Sequence, residues 1–196
     1  CCPNVLGVPN SVRDLTTPWT DVPPTCGEDC SRWADVAAVI VEPNVLRVED
    51  LRSMREWCDR TGAVLIFDEV LTGFRVDLRG YQHLYGVTPD LATFSKAMGN
   101  GYPVSAVVGK RSVMTTFERV GYSGTFFGET IGLAAARATI AKMEREPVID
   151  RLIEVGHRLR FEGFAPAAGE FGIPIRALGD HPTFWVPKFV ADDADI

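Results

Sequence analysis

Residues 63–69 read Ala-Val-Leu-Ile-Phe-Asp-Glu, and residues 91–96 read Leu-Ala-Thr-Phe-Ser-Lys. In both stretches a short apolar run ends at charged side chains, Asp68 with Glu69 in the first and Lys96 in the second. Short, continuously apolar runs are typical of strands buried in a parallel sheet. Because ligands of such sheets bind beyond the carboxyl ends of the strands, these charged residues are candidates for a functional site.

Further strands and helices are predicted on both sides of these two runs. Residues 36–41 and 104–109 are apolar and predict strands. Residues 48–61 predict a helix ended by Gly62, residues 130–143 an Ala-rich helix, and residues 148–159 a helix with an apolar stripe. Strands that alternate with helices predict an α/β fold whose mostly parallel sheet is covered by helices on both faces.

The organisation changes near the C-terminal third, where glycines and prolines become frequent after residue 161. We predict that residues 1–145 are part of a large domain and that residues 146–196 begin a small C-terminal α+β domain. The chain starts Cys-Cys-Pro without Met and stops just after an apolar run. From these ends we expect a segment of a longer protein.

Composition excludes several classes of protein. The chain has 196 residues, and its 46% hydrophobic content is too high for a disordered chain. No apolar run approaches the roughly 18–20 residues that a membrane span needs. A net charge of −6 argues against nucleic acid or anionic lipid as a partner. With no signal-peptide pattern at the start, we expect a cytoplasmic protein.

The cysteines and histidines do not predict a metal site. Cys1, Cys2, Cys26 and Cys30 lie in the first 30 residues, whereas the three histidines lie far downstream. A zinc site prefers tightly spaced pairs with a second pair or histidines nearby. We therefore expect reduced thiols and no metal.

The acidic pair Asp68–Glu69 has three interpretations. A strand-end Asp holds Mg²⁺ in many ATPases, but that site needs a Gly-rich phosphate loop, and Gly109-Lys110-Arg111 lacks its pattern. Strand-end acids also cap the next helix. In the third interpretation the carboxylate belongs to a ligand site, which the acidic pair alone favours only slightly.

Lys96 is more informative, because Gly99-Asn100-Gly101 follows it and predicts a tight turn. A desolvated lysine can act as an imine-forming amine, although a surface lysine beside a turn is the plain alternative. A Schiff-base lysine and a strand-end Asp that keeps a pyridine nitrogen protonated are the minimum set for pyridoxal phosphate (PLP). The stretch 124–128, Gly-Thr-Phe-Phe-Gly, offers a hydroxyl and N–H groups for a phosphate, unless it is simply a solvated turn.

Residues 65–75 (Leu-Ile-Phe-Asp-Glu-Val-Leu-Thr-Gly-Phe-Arg) and 89–103 (Pro-Asp-Leu-Ala-Thr-Phe-Ser-Lys-Ala-Met-Gly-Asn-Gly-Tyr-Pro) resemble the class III (subgroup II) PLP-dependent aminotransferases. Residues 124–135 are similar to a later Thr-containing segment of that family. Within the family the chain most resembles the glutamate-1-semialdehyde 2,1-aminomutase group. The resemblance covers nearly the whole chain and implies the large domain of a fold-type I PLP enzyme.

The resemblance also implies PLP as cofactor and a role for five residues. Lys96 would form the Schiff base and shuttle the proton, Asp68 would pair with the pyridine nitrogen, and Val70 would pack on the ring. Thr125 would reach the phosphate of the neighbouring subunit's cofactor, which implies a homodimer with shared active sites. Glu42 would line the site, although a simple strand-end hydrogen bond explains it equally well.

The implied activity is transamination or amino-group transfer within one molecule, on a small amine, amino-acid or aldehyde substrate. Both reactions use the same residues, so these residues do not separate them. Arg75 is expected to be structural and to hold its loop. The alternative is a non-catalytic member or fragment of this fold that acts in binding or assembly, against which the correctly flanked Lys96 argues.

Overall fold

The structure, a computed structural model, describes residues 8–17, 33–179 and 181–190. The helices are α1 (Asn10–Arg13), α2 (Val48–Thr61), α3 (Tyr81–Tyr85), α4 (Arg111–Met114), α5 (Thr130–Arg145), α6 (Val148–Arg158) and α7 (Ala165–Glu170), with a π-helical segment, Leu159–Phe164, between the last two. The strands are β1 (Ala38–Val41), β2 (Val64–Asp68), β3 (Leu91–Phe94), β4 (Ala106–Gly109), β5 (Ile175–Leu178) and β6 (Val186–Phe189). Three short 3₁₀ turns are Pro43–Val45, Lys96–Met98 and Thr115–Glu118.

The main sheet has the order β1-β2-β3-β4. The strands β1, β2 and β3 run parallel, and β4 is antiparallel to β3 at the edge. The mostly parallel α/β sheet predicted from the sequence is therefore confirmed. Strands β5 and β6 form a separate antiparallel pair.

One face of the sheet forms the core in the described part of the chain. Side chains alternate along the strands, so Val39, Leu65, Phe67 and Phe94 are buried, whereas Ile40 on the other face of β1 is 55% exposed. The prediction that helices cover both faces is thus met on one face of the described sheet. The all-apolar strands suit burial on the second face as well.

Helix α2 covers this core with the face that the sequence predicted. Its buried residues are Leu51, Met54, Trp57 and Cys58. Gly62 ends the helix in the left-handed conformation (φ +80°), and its N–H donates to the Cys58 carbonyl. Burial raises the pKa of the free Cys58 thiol to about 11, so this cysteine is an inert core residue.

The four cysteines of the first 30 residues lie outside the described residues. Within the described ranges, no cluster of His, Cys, Asp and Glu could hold a metal ion. In the same ranges every helix is too short or too polar to cross a bilayer.

Asp90 ties the amino end of the sheet together. Its carboxylate accepts hydrogen bonds from the Leu65 N–H (2.8 Å), Arg55 Nη1 (2.8 Å) and Lys110 Nζ (2.6 Å). These groups come from β2, α2 and the residue after β4. Burial alone would raise the pKa of Asp90, but the three hydrogen bonds hold that pKa below its usual value.

We predict that Asp90→Asn lowers the free energy of unfolding of the full-length protein by about 2–3 kcal/mol at neutral pH. The substitution removes the charge that pairs with Lys110 and with the partly buried Arg55 guanidinium, which keeps the more exposed Asp59 carboxylate as a partner. A carboxylate with a lowered folded pKa stabilises the protein above its unfolded pKa, and that stabilisation is lost as the pH falls through the folded value. The difference in the free energy of unfolding between the Asp90→Asn variant and the wild type should therefore shrink below about pH 4. Urea unfolding at several pH values measures it.

Asp50→Asn is the matched control. Asp50 lies on α2, the helix that also carries Arg55, and forms an exposed ion pair with Arg47. We expect little change from this substitution. Equal destabilisation by the two substitutions would contradict the role given to Asp90.

Candidate active site

Asp68 and Lys96 lie at the same edge of the sheet. Strands β2 and β3 are parallel neighbours, and Asp68 is in register with Thr93. Lys96 follows Thr93 by three residues, with Ser95 between it and the end of β3. Asp68 is the last residue of β2, so the two residues lie at the carboxyl ends of adjacent strands, as the sequence predicted.

The carboxylate of Asp68 is oriented by two hydrogen bonds to one of its oxygens. Oδ1 accepts from the Val70 N–H (3.0 Å) and from the Thr93 hydroxyl (3.1 Å). Within the described residues, Oδ2 accepts no hydrogen bond. The half-buried carboxylate is thus held in place with one oxygen left for a further donor.

The neighbouring Glu69 is fully buried and serves the fold. Its Oε2 accepts from the Thr72 hydroxyl (2.7 Å) and its Oε1 from the Gln82 N–H (3.4 Å). A Cβ on Gly80 would lie 2.4 Å from Oε1, so the carboxylate packs directly against that glycine. Burial raises the pKa of Glu69. Of the acidic pair, Glu69 anchors the loop 70–80, and Asp68 is left for the site.

Lys96 has an unusual backbone conformation. Its φ is +40°, a left-handed value that costs a non-glycine residue about 1–2 kcal/mol. The turn after it imposes this conformation, since the Lys96 carbonyl accepts from the N–H groups of Gly99 (3.2 Å) and Asn100 (3.1 Å). Before it, the Ser95 hydroxyl donates to the Val104 carbonyl (2.9 Å). Nζ of Lys96 makes no hydrogen bond or ion pair with any residue that the structure describes.

Lys96 lines an open cavity of about 1490 Å³. One wall consists of residues in the loops at the carboxyl edge of the sheet, among them Asn44, Leu71, Arg75 and Tyr102. The opposite wall comes from α6 and the β5–β6 hairpin. Among the described residues, the charged side chains of the lining are Arg75 and Lys96, so the cavity is cationic. Its volume exceeds the roughly 300–1,000 Å³ of ordinary ligand pockets.

Asp68 and the other predicted residues lie outside this lining. Val70 follows Asp68 directly and is half-buried, whereas Glu42 is exposed at the end of β1. Thr125 is exposed at the start of the turn 125–128. The N–H groups of Ile131 and Gly132 at the start of α5 already donate to the Glu129 side chain. A phosphate bound here would therefore contact the turn 125–128 and not the N–H groups at the start of α5.

Two residues of the site were missed in the sequence. Thr93 orients Asp68, but this contact becomes visible only when the register of β2 and β3 is known. The Ser95 hydroxyl holds the start of the turn, and its neighbour Lys96 was the only signal for it. Arg75, expected to be structural, also lines the cavity.

Known proteins share this arrangement of sequence and fold. The family model described as aminotransferase class-III matches residues 30–179. The chain is 38% identical over 184 residues to glutamate-1-semialdehyde 2,1-aminomutase 2 of Brevibacillus brevis, covering 88% of this chain and 43% of that protein. It is 35% identical over 187 residues to glutamate-1-semialdehyde 2,1-aminomutase of Legionella pneumophila strain Paris, covering 89% and 44%.

Two solved structures have the same fold. The FumI protein of Sphingopyxis sp. MTA144, in its PLP internal aldimine form, is 30% identical with a TM-score of 0.74, covering 83% of this chain and 41% of that one. An omega-transaminase from Sphaerobacter thermophilus is 34% identical with a TM-score of 0.64, covering 76% and 37%.

The described sheet, mostly parallel and packed against helices, is part of the large domain of a fold-type I transferase. The chain belongs to the class III aminotransferase family, as its sequence motifs predicted. It spans less than half the length of the curated relatives it matches.

Proposed function

We propose that this chain carries the catalytic lysine of a PLP-dependent enzyme that transfers an amino group, either between two molecules or within one. The observation that carries the proposal is the placement of two residues at the carboxyl edge of the sheet, an accessible Lys96 on a constrained turn after β3 and the oriented Asp68 carboxylate at the end of β2. When bound, PLP supplies an electron sink that stabilises a carbanion at the amine carbon of the substrate.

The described residues fit this cofactor. Oδ2 of Asp68 has no donor of its own and would accept from the protonated pyridine nitrogen, which keeps that nitrogen cationic. Val70, whose N–H holds the carboxylate in place, would pack on the ring. Thr93 fixes the carboxylate from the other side. We include Glu42 as a residue at the rim of the site because it directly follows β1.

Lys96 would bind the cofactor first and move the proton later. Its Nζ would hold the cofactor through the aldehyde group of the cofactor, with loss of water, and would be a free amine again once a substrate amine has taken its place. As a free amine it would remove the proton from the amine carbon of the substrate and return it at the acceptor carbon. The turn at residues 96–101 fixes the backbone from which the lysine side chain would act. Amines, amino acids and amino aldehydes of small size are the substrates that this chemistry serves.

We also propose that the full-length protein is a homodimer with shared active sites. Thr125 stands next to Phe126 and Phe127, which are 65% and 60% exposed. Tyr122 contacts Phe127 edge-on at 4.9 Å, so these aromatic side chains form one exposed patch. Covering this patch with a second copy would bring Thr125 to the partner's cofactor phosphate.

Two further proposals concern organisation and location. We propose that residues 1–145 belong to the large domain and that residues 146–196 begin the small one, since β5 and β6 form a sheet of their own. For location we propose the cytoplasm, where a free thiol such as that of Cys58 stays reduced.

Lys96→Ala should lower turnover by at least about 10³-fold, because it removes both the covalent attachment and the proton carrier. In the wild-type full-length protein with PLP, borohydride reduction followed by mass spectrometry should place the cofactor on the peptide that contains Lys96. Lys142→Ala, at an exposed i,i+4 ion pair with Glu146, is the control and should keep full turnover. A cofactor found on another lysine would refute the assignment.

Asp68→Asn should keep the visible absorption band of the lysine-bound cofactor but lower kcat by about 10²-fold or more, since the ring nitrogen loses its counter-charge. Exchange of the substrate α-hydrogen with deuterated solvent, followed by NMR, reports proton removal directly. Asp77→Asn, on the loop that follows β2, is the matched control. Equal exchange rates in the Asp68 variant and the wild type would exclude this role for Asp68.

Mixing two inactive variants tests the shared site. We expect subunits with Lys96→Ala and subunits with Thr125→Asp to regain activity when refolded together, because one site of each mixed dimer then has both wild-type residues. Roughly a quarter of all sites should be restored at random pairing. If Thr125 served its own subunit, no mixed site would be intact, and the mixture would stay inactive.

A further inference from the structure

Arg75 is a cation of the candidate site that has no partner among the residues that the structure describes. Its side chain is half-buried and lines the same cavity as Lys96. Within the described residues, no hydrogen bond or ion pair reaches its guanidinium. Guanidinium groups that are shielded from water are normally paired with an anion, because burying the charge alone is costly.

The backbone holds Arg75 rigidly in this position. Its N–H donates to the Thr72 carbonyl (3.1 Å), and Thr72 is itself fixed by the buried Glu69 carboxylate. Phe74, just before it, has a φ of +62°, a true outlier for a bulky side chain. The Phe74 ring packs edge-on against Phe94 of β3 at 5.6 Å, which stabilises the strained turn. The guanidinium is thus presented by a constrained loop and not by a mobile one.

The charge of the cavity indicates what Arg75 binds. The described lining has Arg75 and Lys96 as its charged side chains and contains no carboxylate. A lysine that is covalently attached to an aldehyde is no longer available to pair with an anion on the substrate. Arg75 then remains as the cation of the described lining, with a planar fork of donors that suits a carboxylate.

We infer that Arg75 binds a carboxylate of the substrate, so that the enzyme prefers amino acids over simple amines. This inference rests on the function proposed above. It narrows the substrate class and gives Arg75 a role in specificity that differs from holding its own loop. The cofactor phosphate is another anion that a guanidinium could take, and the test separates the two.

A pair of aminooxy reagents tests the inference without knowledge of the natural substrate. Aminooxyacetate and methoxyamine have the same aminooxy nitrogen, which displaces Nζ of Lys96 from the cofactor's aldehyde carbon and leaves the lysine as a free amine. Aminooxyacetate also carries a carboxylate. In the full-length protein loaded with PLP, the loss of the visible band gives a rate constant for each reagent, and their ratio measures carboxylate recognition.

Arg75→Gln should lower this ratio by about 10-fold or more, the size of a charge-assisted hydrogen bond, with the methoxyamine rate unchanged. Arg75→Lys, which keeps the charge but loses the fork, should give an intermediate ratio. Arg79→Gln is the matched control, since Arg79 is exposed on the same loop and contacts Asp77 and His83. Its ratio should equal that of the wild type.

Other outcomes would overturn the inference. An unchanged ratio, or an equal loss of both rates, would show that Arg75 does not recognise the carboxylate. A weaker dissociation constant for PLP, measured by equilibrium dialysis, together with an unchanged ratio would assign Arg75 to the cofactor phosphate. Absence of the visible band in the wild-type protein would instead refute the proposed function, and it is observed before any variant is made.

Discussion

The parallel pairing of β2 with β3 is the constraint on which the candidate site depends. In a parallel pair both strands end at the same edge, so residues that follow them meet there whatever loops come between. The register sets Asp68 opposite Thr93, and the Thr93 hydroxyl donates to the Asp68 carboxylate. A shift of one strand by one residue would place the two side chains on opposite faces of the sheet. The pairing of the strands therefore sets the position of the carboxylate, and the turn after β3 sets that of the lysine.

Two buried carboxylates hold this strand pair at its opposite ends. Asp90, before β3, accepts hydrogen bonds from the backbone of β2 and from two cations, so its charge is neutralised where it is buried. Glu69, after β2, accepts hydrogen bonds from uncharged donors, and burial raises its pKa. Asp68 differs from both, because it is half-buried and one of its carboxylate oxygens accepts no hydrogen bond within the described residues. That difference in environment separates a carboxylate available to a ligand from two that serve the fold.

The sequence predicted the elements better than the contacts between them. Residues 48–61 and 91–94 form the predicted helix and strand without change, because each has an uninterrupted apolar pattern and a clear end. Residues 36–41 and 104–109 yield shorter strands, Ala38–Val41 and Ala106–Gly109. The antiparallel direction of β4 and the contact of Thr93 with Asp68 depend on pairing across the sheet, which one sequence does not reveal. Likewise, the contact of the Glu129 side chain with the N–H groups of Ile131 and Gly132 at the start of α5 was not predicted from the sequence.

Backbone strain marks the same region as the chemistry. In the described part of the chain, the non-glycine residues with positive φ are Phe74, Lys96 and Asn100. All three belong to the two loops that follow β2 and β3, and both loops line one cavity. Each such residue costs about 1–2 kcal/mol, which a purely structural loop would avoid by using glycine. At Lys96 a glycine would relieve the strain and remove the amine, and at Phe74 it would remove the ring that packs on Phe94 and fixes Arg75. The strain is therefore retained where a side chain is needed, and it joins the Arg75 loop to the lysine turn as parts of one site.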